Sequence, residues 1–324
     1  MSADEFDVIK RHFAPLARDA AARGLMDDVA VLQGEGSLVI TTDTIVEGVH
    51  FLPDDPIETI AKKALRVNLS DLAAKGASPV GMLLALAWPT ARLASDIEGF
   101  AAGLGQDLSH FAALLLGGDT TSTPGPLTIT MTAIGSPLGA RTPSRGDAKP
   151  GEDLWVTGEI GDAYLGLLAR QGRLPGLSEE ALAKLARRYQ VPEPPVAFAR
   201  IVAEHARASM DVSDGLLADA GKMAEASHCA LEISAVPLSD IARAWQVDSA
   251  DRLAELISGG DDYQILFTAP PESRGAIESG ASATGTRVTR IGSASDGAGL
   301  SLCDSAGQRL DPPPGGGHRH KLGR

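Results

Sequence analysis

The sequence contains very few cysteines: only Cys229 and Cys303 among 324 residues. The two lie far apart and form no C-x-x-C pair, which argues against both a disulfide framework and a cysteine-based zinc site. We therefore expect both to be reduced thiols in the core.

Long hydrophobic runs are also missing. The longest apolar stretch, Met82 to Trp88, is too short to span a bilayer, and the N-terminus lacks the basic-then-apolar pattern of a signal peptide. These features predict a soluble, cytoplasmic protein with no membrane partner.

Basic residues are in deficit. Lysine and arginine number 29 against 42 acidic residues, giving a formal net charge of −13. This balance argues against a nucleic-acid partner, because a duplex-DNA binder shows a basic stripe. It does not exclude anionic substrates, since bound cations can invert the local sign of the charge. Most of the acidic surface is explained by solubility alone.

Aromatic residues make up only 4% of the chain, so cores must be built from Ala, Leu, Ile and Val, within a total apolar content of 44%. The length favours two domains. Alternating strand and helix patterns predict an α/β protein of the α+β type, and the Pro/Gly/Ser-rich stretch from Pro137 to Gly151 is the best boundary. We predict domains at residues 1–137 and 138–311, followed by a flexible Pro/Gly-rich tail at 312–324.

Aspartates recur at the ends of apolar, strand-like segments. The pattern is seen at Asp43, Asp119, Asp211 with Asp214, and Asp261 with Asp262. We expect these strand ends to gather into one oxygen-rich site. Two carboxylates ~4 Å apart repel by roughly 4 kcal/mol at an effective dielectric of 20, so converging acids need a counter-charge.

A further acid, Asp71, is predicted late in a helix, where its charge opposes the negative helix end and favours a nearby cation. With no His/Cys cluster and no EF-hand loop, the cation expected from the residues is Mg²⁺. Taken singly, each aspartate is more often a cap or a strand terminator than a ligand. The set as a whole favours a metal site.

The neighbouring loops have features that phosphates require. Gly118 and Gly260 would allow backbone amides to approach closely. Arg145 is the best candidate for a forked phosphate contact, with a solvated linker charge as the alternative. His50 is either a phosphate ligand or an ordinary loop histidine. Neither a dinucleotide-binding GxGxxG motif after a strand nor a P-loop is present, so a kinase would need another scaffold.

Several segments together resemble the thiamine-monophosphate kinase family, of the aminoimidazole-ribonucleotide synthetase-like superfamily. The likeness runs from Glu5 to about Leu302. It is carried by Asp27-Asp28, Thr41–Phe51, Val67–Ala77, Gly117–Thr121, Val156–Gly158, Asp211–Leu216 and Ser258–Tyr263.

The resemblance implies ATP-dependent phosphorylation of thiamine monophosphate to thiamine diphosphate. It also implies a two-domain fold in which the N-terminal domains of a homodimer pair into a β-barrel. It assigns several Mg²⁺ ions to Asp28, Thr41, Thr42, Asp43, Asp71, Asp119, Asp211 and Asp214. It assigns ATP to Gly118, Asp119, Arg145 and Ser213, and the thiamine phosphate to His50 and Asp261.

The chain departs from the family pattern at three places. Met26 stands where glycine usually precedes the paired acids, and Asp261 replaces a glutamate. The C-terminal aromatic of the family has no counterpart near His318. All three bear on the substrate pocket more than on the metal site.

For the reaction, we expect direct in-line transfer to the phosphate of the acceptor. A phosphate monoester dianion is already nucleophilic, so no residue is assigned as a general base. Two alternatives remain open: a related superfamily enzyme with another acceptor, and a non-catalytic paralogue that binds nucleotide or thiamine phosphates. Among the related enzymes, selenophosphate synthetase typically uses a catalytic cysteine or selenocysteine in its N-terminal loop. That reaction is disfavoured here because the first cysteine of the chain is Cys229.

Overall fold

The computed structural model describes residues 9–18, 36–93, 95–247, 249–303 and 309–310. These residues form two compact units. The first holds the described residues up to Leu72 together with Ser78–Pro137, and the second holds Ala73–Ala77 together with the described residues from Leu138 onward. The predicted ligand Asp28 and the predicted tail at 312–324 lie outside the described residues.

The first unit is built on a four-stranded sheet in the order β1-β4-β2-β3. Strands β1 and β4 pair antiparallel along eight residues, from Val39 opposite Gly135 to Val46 opposite Thr128. Strands β2 and β3 are parallel, and the connection between them contains helix α2. The elements are β1 (Val39–Val46), α1 (Ile57–Ala74), β2 (Ala77–Pro89), α2 (Asp96–His110), β3 (Leu114–Thr123) and β4 (Thr128–Pro137).

The sequence Asp55-Pro56, a cap followed by a first-turn proline, and the later Gly76 predict a helix that runs to about Lys75. Helix α1 begins directly after Pro56 and carries a continuous buried face that includes Ile60, Leu65 and Leu69. The chain leaves the helix through Gly76 at φ +62°, a conformation that favours glycine. The sequence Ser95-Asp96-Ile97-Glu98 predicts a capping box at the start of α2, and this prediction is wrong. Ser95 has a helical backbone, and its side chain makes no capping hydrogen bond.

The second unit is built on a seven-stranded sheet in the order β11-β10-β7-β9-β5-β8-β6, in which only the β10–β7 pair is parallel. Its strands are β5 (Asp153–Thr157), β6 (Ser209–Val212), β7 (Ala230–Ile233), β8 (Gln264–Ala269), β9 (Val288–Ser295), β10 (Gly299–Cys303) and β11 (Arg309–Leu310). Its helices are α3 (Asp162–Arg170), α4 (Glu179–Gln190), α5 (Ala199–His205), α6 (Leu216–Ser227), α7 (Asp240–Gln246), α8 (Ala250–Ser258) and α9 (Arg274–Thr284).

This second sheet is covered on both faces. All five residues of β5 are buried, and alternate side chains enter different clusters: Leu154 and Val156 pack in one, Trp155 in the other. The cluster around Trp155 includes Phe198, Phe267 and, from the end of α1, Ala73 and Ala74. A sheet buried on both sides gives its strands continuous apolar runs rather than alternation.

Three of the predicted strand ends are wrong. Asp43 and Asp119 lie inside β1 and β3, because the β-branched and hydroxyl residues that follow them continue each strand. The apolar run before Asp261 belongs to helix α8, where Leu253, Leu256 and Ile257 share one packed face.

Both cysteines are buried and unbonded. Among the described residues, no helix is both long enough and apolar enough to cross a membrane.

Candidate active site

In the first unit, the structure brings together two of the predicted metal ligands, Asp43 on β1 and Asp71 near the end of α1. Thr41 donates a hydrogen bond from Oγ1 to Asp71 Oδ2 at 2.5 Å. Burial, reinforced by the charge of Asp71 and a hydrogen bond to it, raises the pKa of Asp43 to about 6. The two carboxylates are therefore close enough to share a proton.

Strand alternation separates the threonines of this segment. Thr41 and Asp43 lie on the partly buried face of β1, while Thr42 lies on the exposed face. Its Oγ1 donates to the carbonyl of Met131 at 3.1 Å and accepts from Thr132 Oγ1 at 3.0 Å. The side chain of Thr42 is thus directed away from the Asp43–Asp71 pair.

The donor set at this pair suits a hard cation. Thr41, Asp43 and Asp71 offer only oxygen atoms, and a cation bound there would replace the proton that the raised pKa retains. Within the described ranges, no group of three or more His, Cys, Asp or Glu side chains is arranged to hold a metal. Mg²⁺ commonly uses one or two carboxylates and completes its shell with water and phosphate oxygens, so the pair fits it.

Gly118 and Asp119 lie on β3, opposite Leu84 and Ala85 of β2. A Cβ on Gly118 would lie 1.8 Å from the carbonyl oxygen of Leu84, so only glycine fits at this position. Strands β4 and β2 separate β3 from β1, a path of roughly 14 Å at about 4.8 Å per strand step. The structure therefore does not group exposed Asp119 with the Asp43–Asp71 pair within one sheet.

The loop after β1 holds His50 in a defined position. Its Nδ1 accepts a hydrogen bond from the amide of Val46 at 3.0 Å. The buried Lys63 donates from Nζ to the His50 carbonyl at 2.8 Å. Because Nδ1 is an acceptor, the neutral ring carries its proton on Nε2, the nitrogen turned away from the backbone.

In the second unit, two loops predicted separately from the sequence lie against each other. The amide of Asp261 donates to the carbonyl of Ser213 at 2.8 Å. Gly260, at φ +73°, packs so tightly that a Cβ would lie 2.5 Å from the same carbonyl. The structure thus brings Ser213, Asp214 and Asp261 to one edge of the sheet, next to the buried Asp211.

Sequence reasoning missed Asp219 in the first turn of α6. Its Oδ2 accepts hydrogen bonds from the amides of Ser213 and Asp214, each at 3.0 Å. Burial raises the pKa of Asp219, although the hydrogen bond from Lys222 opposes the shift. A carboxylate in the first turn after the Asp214-Gly215 step was the available signal, since such acids commonly bind free loop amides.

Asp262, beside Asp261, was predicted only as one of the acids of the oxygen-rich site, and its structural role was missed. Both of its carboxylate oxygens accept the amide of Gly161, at 2.9 and 3.0 Å, where helix α3 begins. Burial raises its pKa well above the ordinary carboxyl value. Asp262 therefore fixes the loop that carries Asp261 to the start of α3.

The predicted ATP contact Arg145 lies elsewhere on the second unit. Its carbonyl accepts from Ser227 Oγ at 3.1 Å, at the C-terminal end of α6, and its side chain is exposed. Ser213 and Asp214 precede the other end of that twelve-residue helix, about 18 Å away. The structure does not bring Arg145 next to them.

Comparison with known proteins covers both halves of the chain. The family model described as AIR synthase related protein, N-terminal domain, matches residues 26–136, and the corresponding C-terminal domain model matches residues 149–304. The thiamine-monophosphate kinase of Caulobacter vibrioides is 44% identical over 305 residues, which is 92% of this chain and 86% of the relative. The chain belongs to the thiamine-monophosphate kinase family. The predicted family and its two-domain α/β fold are both confirmed.

Solved structures agree with this membership. The thiamine-monophosphate kinase from Stenotrophomonas maltophilia K279a is 37% identical, with a TM-score of 0.82 over 96% of this chain and 99% of that one. AaThiL complexed with AMPPCP and TMP is 29% identical, with a TM-score of 0.75 over 87% of each chain. This chain therefore shares the fold of these solved structures along most of its length.

Proposed function

We propose that this chain transfers the γ-phosphoryl group of ATP to the phosphate of thiamine monophosphate, forming thiamine diphosphate and ADP. The observation that carries the proposal is the 44% identity to a thiamine-monophosphate kinase across both domains. The related AaThiL complex with AMPPCP and TMP supports the same pair of substrates.

The chemistry follows from the charges of the reactants. A phosphate oxygen of the acceptor attacks the γ-phosphorus of ATP in line with the departing ADP oxygen, and both reactants are anions. The protein's main tasks are therefore to position the two phosphates and to offset their repulsion. The acceptor oxygen needs no deprotonation by the protein, so no side chain is given the role of general base.

Bound Mg²⁺ would supply charge neutralisation and Lewis-acid polarisation of the phosphate oxygens. Asp43, Asp71 and Thr41 would hold it in the first unit, and their all-oxygen donor set supports this assignment. Thr42 and Asp119, which the sheet holds apart from that pair, are proposed ligands of other Mg²⁺ ions, together with Asp28, Asp211 and Asp214.

The substrates are assigned to residues of both units. Gly118, Asp119, Arg145 and Ser213 are proposed to contact ATP, and His50 and Asp261 the thiamine phosphate. The fixed ring of His50 and the anchored loop of Asp261 support rigid presentation of both side chains. We further propose that the protein acts as a homodimer in the cytoplasm.

The test is a coupled assay of diphosphate formation from thiamine monophosphate, ATP and Mg²⁺, using the full chain. Asp71→Asn should lower kcat/KM by roughly a hundredfold or more, because it removes a charge that acts on the transferring phosphate. Glu98→Gln, an exposed acid on α2, is the matched control and should retain activity. Activity of Asp71→Asn within a few-fold of wild type would contradict the metal assignment.

The same assay separates the alternatives. ATP consumption with another phosphorylated acceptor, but not with thiamine monophosphate, would indicate a different superfamily reaction. Tight calorimetric binding of both substrates without diphosphate formation would indicate a binding paralogue.

A further inference from the structure

Helix α6 presents two charged residues, Asp219 and Lys222, to the loop that precedes it. They are three positions apart and lie on one side of the helix, where Lys222 donates from Nζ to Asp219 Oδ1 at 2.8 Å. Neither residue belongs to the proposed metal ligands or substrate contacts. Both act on the turn that contains Ser213 and Asp214.

Asp219 determines the conformation of this turn. Its side chain is fully buried, and one of its oxygens accepts two consecutive backbone amides. This carboxylate therefore acts as an internal anion for the loop amides. By binding them it orients the Ser213 hydroxyl and the Asp214 carboxylate. Hydrogen bonds to a charged group are stronger than neutral ones, so the turn is held firmly.

Lys222 links the two acids. Besides Asp219, its Nζ contacts Asp214 Oδ2 in a close ion pair. The Lys222 side chain remains 40% exposed and that of Asp214 35% exposed, so this ion pair lies at the surface and can separate without disturbing the core. Asp219, by contrast, is enclosed.

We propose that Asp219 is a positioning residue for the Ser213–Asp214 turn, and that Lys222 is an internal counter-charge that competes with a bound divalent cation for Asp214. The inference rests on the proposed function, in which Asp214 is a metal ligand and Ser213 contacts ATP. The two neighbouring residues then have opposite effects on metal binding.

The opposite effects of substituting Lys222 and Asp219 on metal binding follow from the geometry. Removing the Lys222 ammonium frees Asp214 Oδ2 and leaves both carboxylates to attract a cation. Neutralising Asp219 loosens the two amide contacts and releases Lys222 to bind Asp214 alone. A residue that served stability only would not strengthen metal binding when removed.

The test is calorimetric titration of the full chain with Mg²⁺ in the presence of AMPPCP, which reports binding without turnover. Lys222→Met should lower the apparent Mg²⁺ dissociation constant several-fold, whereas Asp219→Asn should raise it roughly tenfold. Lys222→Arg should restore wild-type behaviour. Lys184→Met on α4, an exposed lysine, controls for the change in net charge.

Kinetics provide a second measurement. Asp219→Asn should raise the KM for ATP about tenfold while the KM for thiamine monophosphate changes less than twofold. Should Asp219→Asn fail to fold, the half-exposed Lys222→Met still decides the question. Metal binding by Lys222→Met that is equal to or weaker than that of Lys184→Met would overturn the proposal. Because the titration requires no turnover, this result is distinguishable from failure of the proposed kinase activity.

Discussion

At the scale of single residues, two buried carboxylates of the second unit bind backbone amides of neighbouring loops. Asp219 holds two loop amides and Asp262 holds the amide that begins α3. Asp219 follows the proposed metal ligand Asp214, and Asp262 follows Asp261, which is proposed to contact the thiamine phosphate. The chain thus uses neighbouring aspartates for different purposes, which residue type alone does not distinguish.

Asp262 leads to a pH prediction. Its pKa is raised by burial, so the folded state retains a proton that the unfolded state loses above about pH 3.9. Stability should therefore fall as the pH rises from that value towards the raised pKa. Asp262→Asn keeps an acceptor for Gly161 and removes the charge, so its stability relative to wild type should improve between pH 5 and pH 8.

Urea unfolding at pH 5 and at pH 8 measures the difference in unfolding free energy between Asp262→Asn and wild type. Asp262→Ala is the paired control, because it deprives a buried amide of its acceptor and should cost about 1–3 kcal/mol at either pH. A wild-type protein whose advantage over Asp262→Asn grows with pH would contradict the raised pKa.

Gly118 gives a steric prediction. In Gly118→Ala the new methyl would meet the Leu84 carbonyl oxygen at 1.8 Å, so β2 and β3 must separate locally. We expect a loss of about 1–3 kcal/mol in unfolding free energy, together with a higher KM for ATP. Gly125→Ala, whose methyl would approach Thr123 Oγ1 only to 3.4 Å, should be nearly neutral in the same thermal melts and assays.

Such residue-level contacts mark the limit of sequence reasoning. Asp43 and Asp71 were predicted as ligands of one site and lie together, because each belongs to a segment with a strong local pattern. Asp219 was missed because its role depends on a loop folding back onto its helix. The distance of Arg145 from Ser213 depends on how the linker runs along α6, which no local pattern specifies.

At the scale of elements, the long helices follow their sequence patterns closely. Helix α1 was predicted within one residue at each end, since its buried face repeats at helical spacing between a proline and a glycine. Helix α8 was mistaken for a strand, because its nine residues offer too few turns to separate a helical from an extended pattern.

Helices α1 and α2 are joined by a buried ion pair. Arg66 donates from Nε to Asp107 Oδ2 at 2.5 Å and from Nη2 to Oδ1 at 3.0 Å, and the two side chains are 10% and 4% exposed. Asp107→Ala should destabilise the protein by about 3–5 kcal/mol, because it leaves a buried guanidinium without its bidentate partner. Chemical denaturation measures the loss.

The matching double variant, Arg66→Met with Asp107→Leu, removes both charges. It should recover most of the stability lost in Asp107→Ala. If the double variant were less stable than Asp107→Ala, the ion pair would not be the dominant interaction between α1 and α2.

At the scale of the whole molecule, the exposed face of β1 supports the proposed homodimer. Ile40 is 62% exposed near the start of β1, on the strand face that also carries the exposed Thr42 and Thr44. An apolar side chain at such a position is well suited to pairing between subunits. Ile40→Glu should convert the dimer to a monomer, as measured by size exclusion with light scattering.

The matched control is Leu93→Glu. Leu93 is 68% exposed but lies in a loop outside the sheet, so its substitution should leave the mass unchanged. A dimer that persists in Ile40→Glu would place the subunit contact on another face.

The five residues Ala73–Ala77 have a practical consequence for anyone who wishes to produce the C-terminal half alone. They belong to the second unit although they lie more than sixty positions before its main segment. Ala73 and Ala74 cover Phe198 and Val202 there, and Gly76 packs on Ala203. A recombinant fragment starting at Leu138 would expose those side chains to water and invite aggregation, whereas grafting this pentapeptide onto its N-terminus through a short linker should improve its yield in solution.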